Sequence, residues 1–284
     1  MAITDYYATT KKEPEPGPFD HLTPPNAYAE IWHQAHQIMG ALDANQPGQQ
    51  TQLRALSNHL AHLLARSKDE AFAAYGRETL VRIYETLDDL ESSDQAFDSY
   101  LAFLQEEEAE PADLIKALAD RGHRLLKKGL KLKALGHFSR ICQDFKDAPE
   151  AIQGWDGLVR YYLSIGEPQE AVPTMEHIVS TYSTDHPRVV AAYYNLSTIH
   201  TNQRDYKTAI SRLEQLIARC DEERIVAFAE LRIADLYRYQ KQDVEAIRRY
   251  REVLGKYDFP SIRIPAKNKL ASLQNEAFDA MLSP

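Results

Sequence analysis

Four histidines are the first residues whose spacing could do chemistry: His33 with His36, and His59 with His62, form two i, i+3 pairs, and Glu30 stands one turn before His33. Imidazoles one turn apart share a helix face, and two such helices side by side can hold a transition metal. Ligand sets in helical bundles project inward, however. Against the apolar stripes of their helices, His33 and His62 point away from the core and His36 and His59 lie at its edge. Four-fold convergence is therefore not expected, and no metal ligand is assigned. The chain has no nucleophile elbow, phosphate loop, zinc signature or glycine-rich nucleotide turn. No catalytic residue and no cofactor are expected.

Charge is the second chemical signal. The chain carries a net charge of −9, and its distribution says more than its sum. Residues 83 to 115 hold eleven acids and no Lys or Arg, whereas residues 116 to 146 hold nine bases against Asp120 and Asp144. Such blocks read as solvated faces attracting each other along the chain, or as a bipolar surface that orients a charged partner or pairs two copies. An acidic chain without a sustained basic stripe argues against nucleic acid.

The elements that position these groups are helices in a repeat. Residues 148 to 182 read as two helices: Trp155, Leu158 and Tyr162 mark one face, Gly166 the turn, and Ala171, Met175 and Ile178 the second face. A small residue where helices cross lets their backbones approach. That position recurs as Ala96, Ala134, Ala171, Ala209 and Ala246, spaced 38, 37, 38 and 37 residues, each followed by a large residue: Tyr100, Phe138, Met175, Leu213 and Tyr250. The first helices open with Leu80, Leu118, Trp155 and Tyr193, but the last copy has Glu230 there.

Trp155, Leu158, Tyr162, Gly166, Ala171 and the closing Pro187 resemble the tetratricopeptide repeat over residues 68 to 260, and units of 37 or 38 residues look like its longer bacterial variety. The expected fold is an all-α, right-handed superhelical solenoid of helix-turn-helix repeats forming one elongated body. Residues 1–25, with five prolines, read as a disordered tail; 26–66 as an N-terminal helical hairpin cap, its helices over 26–42 and 50–66; 67–260 as about five repeats; and 261–284 as a C-terminal capping helix starting near Pro265. Capping boxes are expected at Ser67 to Glu70 and Asp147 to Glu150, and a late start or kink at Pro173. Arg121 stands where the consensus has leucine.

The resemblance implies a non-catalytic scaffold that binds a protein or peptide in a concave groove lined by first helices. Its groove residues would be Glu78, Glu85, Lys116, His123, Lys127, Asp156, Arg160, Ala191, Tyr194, Asn195, Thr198, Asn202, Phe228, Leu231, Arg232, Asp235 and Tyr239. Some members clamp a carboxylate with five Lys, Asn and Arg residues. Asn195 and Arg232 match two of those positions, and Asp156, Arg160 and Phe228 occupy the other three, so the full clamp is absent. The expected partner is an acidic or carboxylate-ended segment in the C-terminal half of the groove. A peptide-responsive regulator and a metal protein using the histidine hairpin are the other functions these residues allow. Two cysteines two units apart, no apolar leader and no bilayer-length apolar run place the chain in the cytoplasm if Met1 is native.

Overall fold

The computed structural model describes residues 47–65 and 70–282, which hold twelve α-helices, one 3-10 turn and no strand. In order these are α1 (Pro47–Leu64), α2 (Glu70–Thr86), α3 (Leu90–Glu106), α4 (Pro111–Lys127), α5 (Lys131–Asp144), the 3-10 turn Pro149–Ala151, α6 (Ile152–Ile165), α7 (Val172–Thr181), α8 (Pro187–Asn202), α9 (Tyr206–Arg219), α10 (Glu223–Tyr239), α11 (Asp243–Lys256) and α12 (Pro260–Leu282). The chain divides into two compact units, one through Leu118 and one from Ala119. In the first, α2 packs on α1 and α3; in the second, each helix from α5 to α12 packs on the next. The fold is an all-α helical repeat.

Burial follows the repeat found in the sequence. Ala134, Ala171, Ala209 and Ala246 are fully buried and Ala96 nearly so, and Tyr100, Phe138, Met175, Leu213 and Tyr250 are buried one turn later. Each first helix ends in one turn type. Asp88, Gly129, Gly166, Arg204 and Lys241 all have positive φ, between 56° and 82°. The next N–H reaches back five residues, as from Leu130 to the Leu125 carbonyl at 2.9 Å and from Gln242 to that of Tyr237 at 3.0 Å, which closes a Schellman motif. Two of these turns lead straight into an N-cap: Asp89 accepts from the Ser92 N–H at 3.2 Å, and Asp205 from that of Thr208 at 3.1 Å.

Arginines tie one repeat to the next through exposed helix ends. Arg219, at the end of α9, donates to the Val179 and Tyr182 carbonyls that finish α7 and to the Tyr193 hydroxyl. Arg263 on α12 likewise reaches the Leu254 and Tyr257 carbonyls at 2.7 and 2.9 Å. Carbonyls at a helix C-terminus lack intrahelical donors and carry partial negative charge, so a guanidinium suits them.

Several boundaries differ from the sequence reading. The proline-rich tail, the helix over 26–42 with His33 and His36, and the Ser67 cap lie outside the described residues. Helix α1 starts at Pro47, a residue fit for a first turn, rather than at 50. Asp147 caps no helix: the chain makes the 3-10 turn from Pro149, with Ala148 before it, and α6 begins only at Ile152. Helix α7 starts late, at Val172, so Pro173 falls in its first turn where no N–H is missed. Helix α12 begins at Pro260, earlier than Pro265, because Ile262 and Ala266 bury against Tyr250, Val253 and Tyr257. Arg121 is buried in its leucine position, at 1% exposure. Glu230, at the start of the last copy, accepts from Lys256 at 2.8 Å, and this ion pair spans the hairpin in place of an apolar contact.

Both cysteines are free thiols, Cys142 on α5 and Cys220 just beyond the end of α9. Burial pushes the Cys142 thiol up to about 12 and also raises that of Cys220, so neither is a nucleophile at neutral pH. Among the described residues no helix is long and apolar enough to cross a membrane.

Candidate ligand groove on the first helices

Within the unit from Ala119, three first helices present one polar hollow of about 490 Å³, lined by His123, Leu126 and Lys127 of α4, Asp156 and Arg160 of α6, and Arg188 of α8. Helix spacing brings them together: residues 123, 126 and 127 share a face, as do 156 and 160. Asp156 organises the group. It is 8% exposed, accepts from Arg160 Nε at 2.8 Å and lies 3.5 Å from Arg188 Nε. Both guanidiniums thus engage it by their inner edge. Their Nη atoms make no hydrogen bond among the described residues, and Lys127 is exposed with no ion pair among them.

The histidine in this hollow is held neutral. Burial pushes its pKa below 6.5; Arg160 adds to that, Asp156 opposes it, and Arg188 and Asp120 act more weakly in opposite directions. Its ring leans on Phe138, with centroids 5.1 Å apart. Three cations and one carboxylate surround a neutral imidazole, a charge balance suited to an anion, and no nucleophile and base lie in reach of each other among the lining residues.

Other expected groove residues have varied roles. In the first unit, Glu78 and Lys116 are half-buried. Glu85 is withdrawn to 3% exposure, because it shares its face with the fully buried Val81 one turn earlier. Farther along, Tyr194 donates to the Ile225 carbonyl at 3.2 Å and meets Phe228 edge-on at 5.7 Å, which joins α8 to α10. Thr198 returns its hydroxyl to the Tyr194 carbonyl at 2.8 Å. Ala191 and Asn195 are half-buried, Asn202 is exposed and Leu231 is buried. Asp235 is occupied within the fold, accepting from Tyr250 at 2.6 Å and from Lys269 of α12 at 2.6 and 2.7 Å. Arg232 is half-buried without an ion pair among the described residues, and Tyr239 is 51% exposed.

Sequence reasoning did not find Arg188. It follows Pro187, which marks a helix start, and the residues after such a marker read as boundary rather than surface. The histidine hairpin has only its second pair among the described residues. His59 and His62 are both exposed on α1, and no three His, Cys, Asp or Glu residues converge among the described residues.

Comparison with known proteins adds a resemblance over one repeat. A tetratricopeptide repeat model matches residues 228–258, which span most of α10, the Lys241 turn and α11. Comparison with curated proteins finds no match. Among solved structures, nearly identical TPR-like repeats described as kinesin light chain from Podosopora anserina are 20% identical, with a TM-score of 0.46, over 60% of this chain and 89% of that one. BtubC (BKLC) from P. vanneervenii is 13% identical, TM-score 0.44, over 81% and 94%. A thermophilic TPR protein of Thermus thermophilus is 17% identical, TM-score 0.39, over 71% and 99%. Repeats of this family serve generally as protein-interaction scaffolds. The matched copy at 228–258 is the last of the five alanine-centred hairpins, and over it the chain is similar to tetratricopeptide repeat proteins.

Proposed function

We propose that the protein is a non-catalytic scaffold that holds an acidic segment of a partner protein against its first helices. The observation that carries this reading is the hollow at Lys127, Arg160 and Arg188, where guanidinium edges stand open to an anion on a chain of net charge −9. Arginine forks bind carboxylates through paired hydrogen bonds, and Arg and Tyr are frequent anchors of interfaces. Asn195, Arg232 and Tyr239 extend the surface toward the C-terminal end. Asp235, bound to Lys269, is a support for that surface and does not contact the ligand.

Affinity capture with mass spectrometry identifies the partner, and a variant pair tests the site. Replacing Arg160 and Arg232 together by Ala is expected to weaken capture by about tenfold or more and to reduce its salt dependence. Charge reversal at the exposed Lys267 of α12 is expected to leave it unchanged. Unaltered affinity in the double variant would place the partner on another face.

A further inference from the structure

We propose that the hollow between α4, α6 and α8 is a phosphoryl subsite: it takes the phosphate of a phosphorylated side chain on the segment held by the first helices. The proposal rests on the groove reading and names the group bound there.

The charge count favours a dianion. Lys127, Arg160 and Arg188 less Asp156 leave two positive charges around the hollow, and a phosphorylated serine or threonine carries about −1.5 to −2 at neutral pH, against −1 for a carboxylate. Geometry points the same way. Asp156 accepts from Arg160 Nε at 2.8 Å and pairs with Arg188 Nε at 3.5 Å, so both guanidiniums meet it by Nε and their Nη donors have no hydrogen bond among the described residues. Donors then arrive from α4, α6 and α8. A planar carboxylate offers its acceptors in one plane, which one fork matches, whereas three oxygens of a tetrahedral phosphate can face donors from all three helices. Helix α8 begins at Pro187, so its dipole adds positive potential at Arg188, whose own N–H is taken by His186 Nδ1 at 3.2 Å.

His123 reports occupancy. It faces Asp120 and Lys127 of its own helix, Asp156 and Arg160 of α6, and Arg188 of α8, and the Phe138 ring of α5 lies against it. Burial and the two guanidiniums keep it neutral when the hollow is empty. A dianion among those guanidiniums offsets their positive charge, favours the imidazolium and raises its pKa.

The test uses the full chain, with imidazole resonances followed by NMR across pH. Inorganic phosphate is expected to shift the His123 signals and raise its pKa, whereas acetate at equal concentration and ionic strength leaves both in place. Arg160→Ala and Arg188→Ala, each checked for unchanged circular dichroism, are each expected to weaken the phosphate response by about tenfold. Equal responses to phosphate and acetate, or none to phosphate, would overturn the phosphoryl assignment. Neither outcome touches the groove reading, which falls only if partner capture survives the Arg160 and Arg232 substitutions.

Discussion

Phe138 shows how single residues set the packing under the hollow. It is fully buried, and a Cβ added at Gly122 or Gly157 would stand 2.5 or 2.1 Å from its ring; one at Gly154 would stand 2.7 Å from Ile141. Glycine is tolerated inside these helices because the aromatic ring fills the space a side chain would need. Gly157→Ala is therefore expected to destabilise the unit from Ala119 by about 1–3 kcal/mol, read as a lower denaturation midpoint, with partial recovery when Phe138→Leu is added. The sequence marks Phe138 as the large residue after a crossing alanine, but no spacing rule announces that two glycines from different helices must face it. His123, on the same ring, makes stability depend on pH. Its folded pKa lies below the unfolded value of 6.5, so its contribution is complete above 6.5 and is lost as pH falls through the folded value. Unfolding free energy is expected to decline with acidification from about pH 6.5, and His123→Asn to flatten that part of the profile.

At the scale of elements, the turn within each repeat is the recurring device, and its legibility depended on residue type. Gly129 and Gly166 announce left-handed turns because glycine adopts positive φ without penalty. Asp88, Arg204 and Lys241 hold the same conformation at the same place in their repeats, where the sequence shows only ordinary polar residues. The Schellman hydrogen bonds and the packing of the two helices impose it. A left-handed Lys costs about 1–2 kcal/mol and glycine's added freedom when unfolded about 0.5–1, so Lys241→Gly is expected to stabilise by roughly 0.5–1 kcal/mol in denaturant melts. Gly166→Ala, the reverse exchange, is expected to destabilise by about 1 kcal/mol. Helix α12 gives a second case. Leu273 is buried on it, and Lys269, half-exposed on the same helix, reaches Asp235. The demand of a buried carboxylate for a partner decides that contact, and Asp235 is not adjacent to it in sequence.

For the whole molecule, the alanine spacing made the all-α repeat readable, since every hairpin must solve the same crossing problem. The division between Leu118 and Ala119 was not readable, because Leu118 opens a first helix like its counterparts and carries no mark of a boundary. Of the proposed ligand surface, Arg160 and Lys127 are among the residues the sequence reading expected in the groove, whereas Arg188 needed the structure to bring a helix start beside Asp156. The central claim is that an acidic segment lies across the first helices of the second unit. Amide hydrogen exchange of the full chain with and without its captured partner tests it most directly. Added protection in the second half of α4 and in α6 and α8, around Lys127, Arg160 and Arg188, is the predicted result. Protection confined to α5, α7 and α9, with α6 and α8 exchanging as in the free protein, would contradict it.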